Sequence, residues 1–273
     1  MIIFIFNSDI CIKHRIMKNL KYLILVLLAY SNASLAQLKT ISYKDGNQVL
    51  NGFEISPPEK STQKPGILIL PAWMGVDKAS KDIAASLADL GYYAFIADIY
   101  GEGNYPKDNA EAAQKSSYYK TNYKEYQKRI SLALDQLIRA GASPDNIVVI
   151  GYCFGGTGAL EAARGHLNVK GVVSFHGGLA RDPGRTIEPI AAKVLVCHGA
   201  DDPYESKEEI AAFQQEMRDT KADWQMIYYA NAVHGFTNPE YGNDNSKGAA
   251  YNEKAAKRSF EHLKLFLNEV LGK

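Results

Sequence analysis

The chain has 273 residues, 46% of them hydrophobic and 22% charged, enough to bury one sizeable core in a single α/β domain. Its formal net charge is +1 and no basic run stands out. That excludes binding driven by a polyanion, and no nucleic-acid partner is expected.

Residues 1–36 read as a targeting segment rather than as part of the fold. Met17-Lys18-Asn19-Leu20-Lys21 is a short basic region, and Met17 is a candidate start. The apolar run Tyr22 to Tyr30 is too short to span a bilayer. Ser34-Leu35-Ala36 then places small residues where a signal peptidase reads, before Gln37. The expectation is a bacterial signal peptide and a periplasmic or secreted protein from Gln37, with no stable membrane insertion after cleavage. An uncleaved anchor is the alternative. Of the three cysteines, Cys11 lies in the leader. Cys153 and Cys197 fall at ends of predicted buried strands, and no disulfide between them is expected.

The elements alternate along the rest of the chain. Lys39–Lys44 and Gln48–Ser56 read as strands joined by a turn at Asp45-Gly46-Asn47. Gly66–Leu70 is a short apolar run that reads as a central strand. Lys78–Gly91 is an amphipathic helix with Ile83, Leu87 and Leu90 on one face, and Tyr93–Asp98 is the next strand. A Gly/Pro-containing loop follows, then two helical stretches, the second over Tyr123 to Ala140. Ile147–Ile150 is a buried strand, with a helix from the following turn to Arg164. Further strands are predicted over Val169–Phe175, Lys193–Cys197 and Trp224–Tyr229, and further helices over Ser206–Asp219 and Asn252–Leu271. This order predicts an α/β fold with a mainly parallel, doubly wound sheet flanked by helices and an N-terminal antiparallel hairpin.

The stretch Gly151-Tyr152-Cys153-Phe154-Gly155-Gly156 follows four β-branched residues and opens a helix. It resembles the nucleophile elbow of α/β-hydrolases with Cys in place of Ser. A sharp turn lifts the nucleophile above the sheet, and the glycines let strand and helix pass closely. The helix N-terminus favours a thiolate, and the Phe154 N–H suits a developing oxyanion. The bland alternative is a buried structural cysteine.

Cys153, Asp202 and His234 occur in the chain order of α/β-hydrolase triads, each after its own predicted strand. His234 would take the thiol proton and later activate water; Asp202 would orient the imidazole. Spacing alone leaves Asp201 open beside Asp202, and either could be a turn residue before Pro203. His176 and His198 also stand at strand ends, where hydrogen-bonded core histidines and contacts around the site are both open readings. Tyr118, Tyr119, Tyr123 and Tyr126 read as helix packing or as the mouth of a pocket. No histidine spacing suggests a metal site.

These motifs, with Ala72-Trp73-Met74-Gly75, Asp98-Ile99-Tyr100-Gly101, Ser174-Phe175-His176-Gly177-Gly178-Leu179, His198-Gly199-Ala200-Asp201-Asp202-Pro203 and His234-Gly235-Phe236, are similar to the dienelactone hydrolase family of the α/β-hydrolase superfamily. The resemblance runs over residues 45–270, and the single domain expected is 37–273. It implies a Cys-Asp-His hydrolase of small-molecule esters or lactones that uses no cofactor. It favours Asp202 over Asp201 and implies an oxyanion hole from the backbone N–H groups of Trp73 and Phe154. Two positions depart from the pattern. Ala72 stands where family members acting on dienelactone carry a Glu that interacts with the resting thiol. Asn238 stands where they carry an arginine for the lactone carboxylate. The same fold acting on a peptide or carbohydrate ester is an alternative, and so is a non-catalytic binding protein on a hydrolase scaffold. Neither the substrate nor the oligomeric state is written in the sequence.

Overall fold

The computed structural model describes residues 37–59 and 61–272; the expected signal peptide lies outside them. Strands β1 (Lys39–Asp45) and β2 (Gln48–Ile55) form an antiparallel hairpin in register, with Lys39 opposite Glu54. Its turn contains Gly46 at φ +58°, a left-handed conformation that glycine adopts without steric cost. After them come β3 (Gly66–Leu70), α1 (Lys78–Asp89), β4 (Tyr93–Ile96), α2 (Asn109–Thr121) and α3 (Tyr123–Arg139). Then follow β5 (Ile147–Tyr152), α4 (Phe154–Arg164), β6 (Gly171–Phe175), β7 (Lys193–Gly199), α5 (Lys207–Asp219), β8 (Trp224–Tyr229) and α6 (Glu253–Leu271).

The sheet order is β1-β2-β4-β3-β5-β6-β7-β8. β2 joins β4 antiparallel, and every pairing from β4 to β8 is parallel. This is the predicted architecture. The period of two along each strand splits the core between the faces. Leu68, Leu70 and Val149 pack with Tyr126, Leu134, Leu160 and Phe213 from α3, α4 and α5. Ile67, Ile69, Val148 and Ile150 pack with Ala84, Leu87, Leu263 and Leu267 from α1 and α6. The central strands are covered on both faces, so β3 is buried at every position.

The order in which strands are added to the sheet reverses between β3 and β5. The β3–β4 crossover uses α1 on one face and the β4–β5 crossover uses α3 on the other. A crevice at the carboxyl ends of the strands results at such a switch point. α4 is buried at all eleven positions. Its charged residues are paired: Arg164 lies 2.7 Å from Glu216 of α5 and 3.0 Å from Glu161. Burial of these charges without partners would be costly, so the pairing fixes α4 against α5.

Three of the element boundaries that differ from the sequence expectation have a visible cause. β4 ends at Ile96 because the Asp98 side chain turns the chain, accepting from the N–H groups of Asn51 and Gly101 and from Tyr105 Oη. β6 begins at Gly171 because Val169 N–H bonds back to the Leu167 carbonyl. β7 runs on to Gly199, so Cys197 lies inside the strand rather than at its end. Short 3-10 turns at Pro239–Tyr241 and Asn245–Lys247 were not anticipated.

Candidate active site

The site is built where β3 and β5 end. Cys153 sits between β5 and α4 at φ +53° and ψ −115°, a strained conformation for a residue with a side chain. Close passage of strand and helix holds it there. A Cβ at Gly151 would collide with the Gly155 carbonyl, and one at Gly155 with the Leu70 carbonyl. The Cys153 N–H is tied to the Phe175 carbonyl at 3.0 Å and to His176 Nδ1 at 3.2 Å.

His234 follows β8 and Asp202 follows β7. His234 Nδ1 lies 2.9 Å from Asp202 Oδ2. The Asp202 side chain is 0% exposed, and its Oδ1 accepts from the Tyr204 N–H at 3.0 Å. Asp201 is exposed and takes no part. A carboxylate on Nδ1 leaves Nε2 for the thiol.

The electrostatics follow from these contacts. Burial works against the charged form of both members of the pair. For Cys153 it is outweighed by the His234 hydrogen bond and charge, by Lys120 and by the Phe154 N–H, so the thiol pKa falls below its ordinary value. For His234 it is outweighed by hydrogen bonds to Asp202 and Cys153, and the pKa is pushed up to about 10. Both shifts run in the direction that favours a thiolate–imidazolium pair. Cys197 is the contrast: burial pushes its thiol up to about 12. Both cysteines are free.

Phe154 N–H, first in α4, points at the Cys153 sulfur. Trp73 follows β3 in a turn closed by the Gly75 N–H on the Ala72 carbonyl. The Trp73 carbonyl accepts from Tyr100 Oη at 2.7 Å, and its N–H has no backbone acceptor among the described residues. Both expected oxyanion donors are thus uncommitted to backbone carbonyls.

His176 is closer to the chemistry than its sequence position revealed. Its Nδ1 accepts from Cys153 N–H, so Nε2 carries the hydrogen and donates to Thr237 Oγ1 at 2.8 Å. Burial and the nearby His234 hold its pKa well below the ordinary value, so the ring is neutral. The available signal was the register that sets Phe175 beside Tyr152 and puts the next residue against the elbow. His198 stands apart from the thiol. It is buried, meets Tyr228 edge-on at 5.5 Å, and its Nδ1 has no partner among the described residues. Burial lowers its pKa despite Asp202.

Tyr119 and Tyr126 of the tyrosine stretch are packed, whereas Tyr118 is exposed and Tyr123 lines a separate cavity. Tyr126 stacks on Phe154 at 4.6 Å and Tyr119 meets both, which steadies the residue after Cys153. Tyr118 bonds Glu125 and Tyr123 carries Arg185 over its ring. A cavity of about 320 Å³ adjoins Cys153, and Ala72 and Asn238 both line it. Among the described residues no cluster of three metal-ligating side chains occurs, and no helix is long and apolar enough to cross a membrane.

The profile of the dienelactone hydrolase family matches residues 50–271. The chain belongs to that family. It is accordingly a hydrolase of ester and lactone bonds. The crystal structure of a dienelactone hydrolase-like promiscuous phosphotriesterase, P91, from metagenomic libraries superposes with a TM-score of 0.81 at 34% identity, covering 87% of this chain and 99% of that one. A structure named m3DLH gives a TM-score of 0.81 at 31% identity, covering 87% and 100%. A Bradyrhizobium protein named "Probable 2-oxo-3-(5-oxofuran-2-ylidene)propanoate lactonase" is 27% identical over 193 residues, covering 67% of this chain and 77% of that protein.

Proposed function

We propose that this dienelactone hydrolase family member cleaves a small carboxylic ester or lactone through Cys153, His234 and Asp202. The observation that supports it most is the His234 imidazole bound at 2.9 Å to the buried Asp202 carboxylate, with an elbow thiol whose pKa that imidazole lowers. The Cys153 thiolate attacks the carbonyl carbon and a C–S bond forms. The electron pair moved onto oxygen faces the N–H groups of Phe154 and Trp73. The adduct collapses, the C–O bond breaks, and His234 Nε2–H protonates the leaving alkoxide. A thioester acyl-enzyme and a neutral imidazole remain. His234 then takes a proton from water as the oxygen adds to the thioester carbonyl. Collapse releases the acid and regenerates the thiolate–imidazolium pair. Asp202 keeps the imidazole tautomer throughout.

The basic, apolar and small-residue order of residues 17–36 supports export as part of the same reading. N-terminal sequencing of protein from the periplasm or medium is expected to begin at Gln37; a start well upstream would overturn export alone. The chemistry is tested by p-nitrophenyl acetate hydrolysis against pH for wild type and Cys153→Ala. Loss of turnover in the variant is expected. Equal rates would remove Cys153 from the reaction and favour a binding protein.

A further inference from the structure

The cavity beside Cys153 runs between the start of α1 and the first half of α6. Ala72, Ile83, Tyr152, Phe175 and Phe260 give it apolar walls. Much of its polar lining is committed within the protein, and Asn238 Nδ2 and the Tyr152 hydroxyl are the uncharged groups with no hydrogen bond among the described residues. Both His176 nitrogens are used, and one of them holds Thr237 Oγ1. Asp77 caps α1 through the Ser80 N–H, and Ser80 Oγ is bonded to the Asp77 backbone. Ser259 Oγ donates to the Ala256 carbonyl, and Asn238 Oδ1 accepts from the Glu240 N–H. At the exposed edge Lys257 pairs with Glu253, and Glu261 with Lys264. Its charged side chains are paired or capping a helix and its remaining polar groups are uncharged, so burial of apolar surface is what it mainly rewards.

The directions around the thiol say which part of a substrate enters. The carbonyl oxygen faces the N–H groups of Phe154 and Trp73. The leaving oxygen must face His234 to be protonated. Neither Phe154, Trp73 nor His234 lines the cavity, whereas Cys153 does. The third substituent of the carbonyl carbon is the one left to fill it. We propose that this cavity is the acyl site, and that the substrate is an ester with an uncharged, straight aliphatic acyl chain. The volume of about 320 Å³ holds roughly ten water-sized groups at about 30 Å³ each, which suits a chain of about six to eight carbons. This rests on the hydrolase reading above.

The test is kcat/KM for p-nitrophenyl acetate, butanoate, hexanoate and octanoate on the wild-type protein. Each methylene buried is worth at most about 0.8 kcal/mol, or about fourfold. A rise of at least about twentyfold from acetate to hexanoate is expected. Ile83→Trp narrows the cavity from α1 and should lower the hexanoate-to-acetate ratio at least about tenfold. Ala256→Phe narrows it from α6 and carries the test should the first variant not fold, as read by its thermal melt. A flat wild-type profile overturns the acyl site, and so does a ratio unmoved in a folded filling variant. If acetate hydrolysis survives Cys153→Ala, the hydrolase reading falls and the acyl site with it. If acetate hydrolysis needs Cys153 but is indifferent to chain length, only the acyl site falls.

Discussion

Removal of the imidazole tests the ion pair directly. In His234→Ala the Cys153 sulfur loses the hydrogen bond and positive charge that offset its burial. Lys120 and the Phe154 N–H remain. A hydrogen bond to a charged group is worth about 1.5–3 kcal/mol. At fixed pH that lowers the thiolate fraction by about 10- to 150-fold. Thiolate, not thiol, is alkylated, so the rate should fall in the same proportion. The assay is iodoacetamide labelling at pH 7, with the adduct located on Cys153 by mass spectrometry. Cys197, buried and pushed up to about 12, serves as the unreactive control in the same chain. Wild-type labelling should persist well below the ordinary thiol range, whereas the variant should need alkaline pH. If a folded His234→Ala protein is labelled at the wild-type rate at pH 7, the pair does not set the thiol's charge and the resting state argued above is wrong.

Asp202→Asn should preserve the fold, because the amide oxygen can still accept from the Tyr204 N–H, but it no longer stabilises the imidazolium. A fall in kcat/KM of about 10²- to 10⁴-fold is expected, and steady-state kinetics within threefold of wild type would refute the role of Asp202. Glu205 accepts from the Leu179 N–H, and burial pushes its pKa up to about 7 from 4.5. A raised carboxyl pKa contributes stability that is fully present below pH 4.5 and lost as pH rises through about 7. Glu205→Gln removes that pH dependence, so its Tm relative to wild type should rise between pH 5 and pH 8; a constant difference would count against the shift. Gly155→Ala drives a Cβ into the Leu70 carbonyl and should destabilise by about 3 kcal/mol or more, seen as a loss of cooperative melting or a much lower Tm. A melt within a degree or two of wild type would mean that the elbow relaxes more freely than its packing implies.

Legibility in the sequence followed the range of the interactions involved. The apolar runs Ile67–Leu70 and Ile147–Ile150 could be placed because double-sided burial selects β-branched and aliphatic residues at every position. The hairpin was visible through its Gly46 turn. The ends were less visible because side chains far along the chain set them, as Asp98 does by capping Asn51 and Gly101. The triad residues could be proposed because each stands just past a strand, and a parallel sheet gathers those ends at one edge. Spacing alone left Asp201 and Asp202 open, the family resemblance favoured Asp202, and the coordinates give the physical reason. Two adjacent carboxylates in a turn point apart, and only one of them is buried against the imidazole.

Ala72 and Asn238 show the limit from the other side. In the sequence they are two departures from the family pattern, 166 positions apart, and each could be read as a missing polar group. In the fold they share one cavity with Cys153. A cavity is made by what several elements do not fill, and no periodicity in any one of them records it. Loop 237–241, α1 and α6 each carry an ordinary pattern, and the space appears only when the sheet brings them together. The apolar character of that space has the same origin. The fold sets His176 against Thr237 across 61 residues, and a local capping box ties Asp77 to Ser80. The loss of a carboxylate at Ala72 is thus not simply a weakened activation device. With His234 lowering the thiol pKa, the position that shares the cavity with Cys153 can serve substrate shape instead of thiol charge.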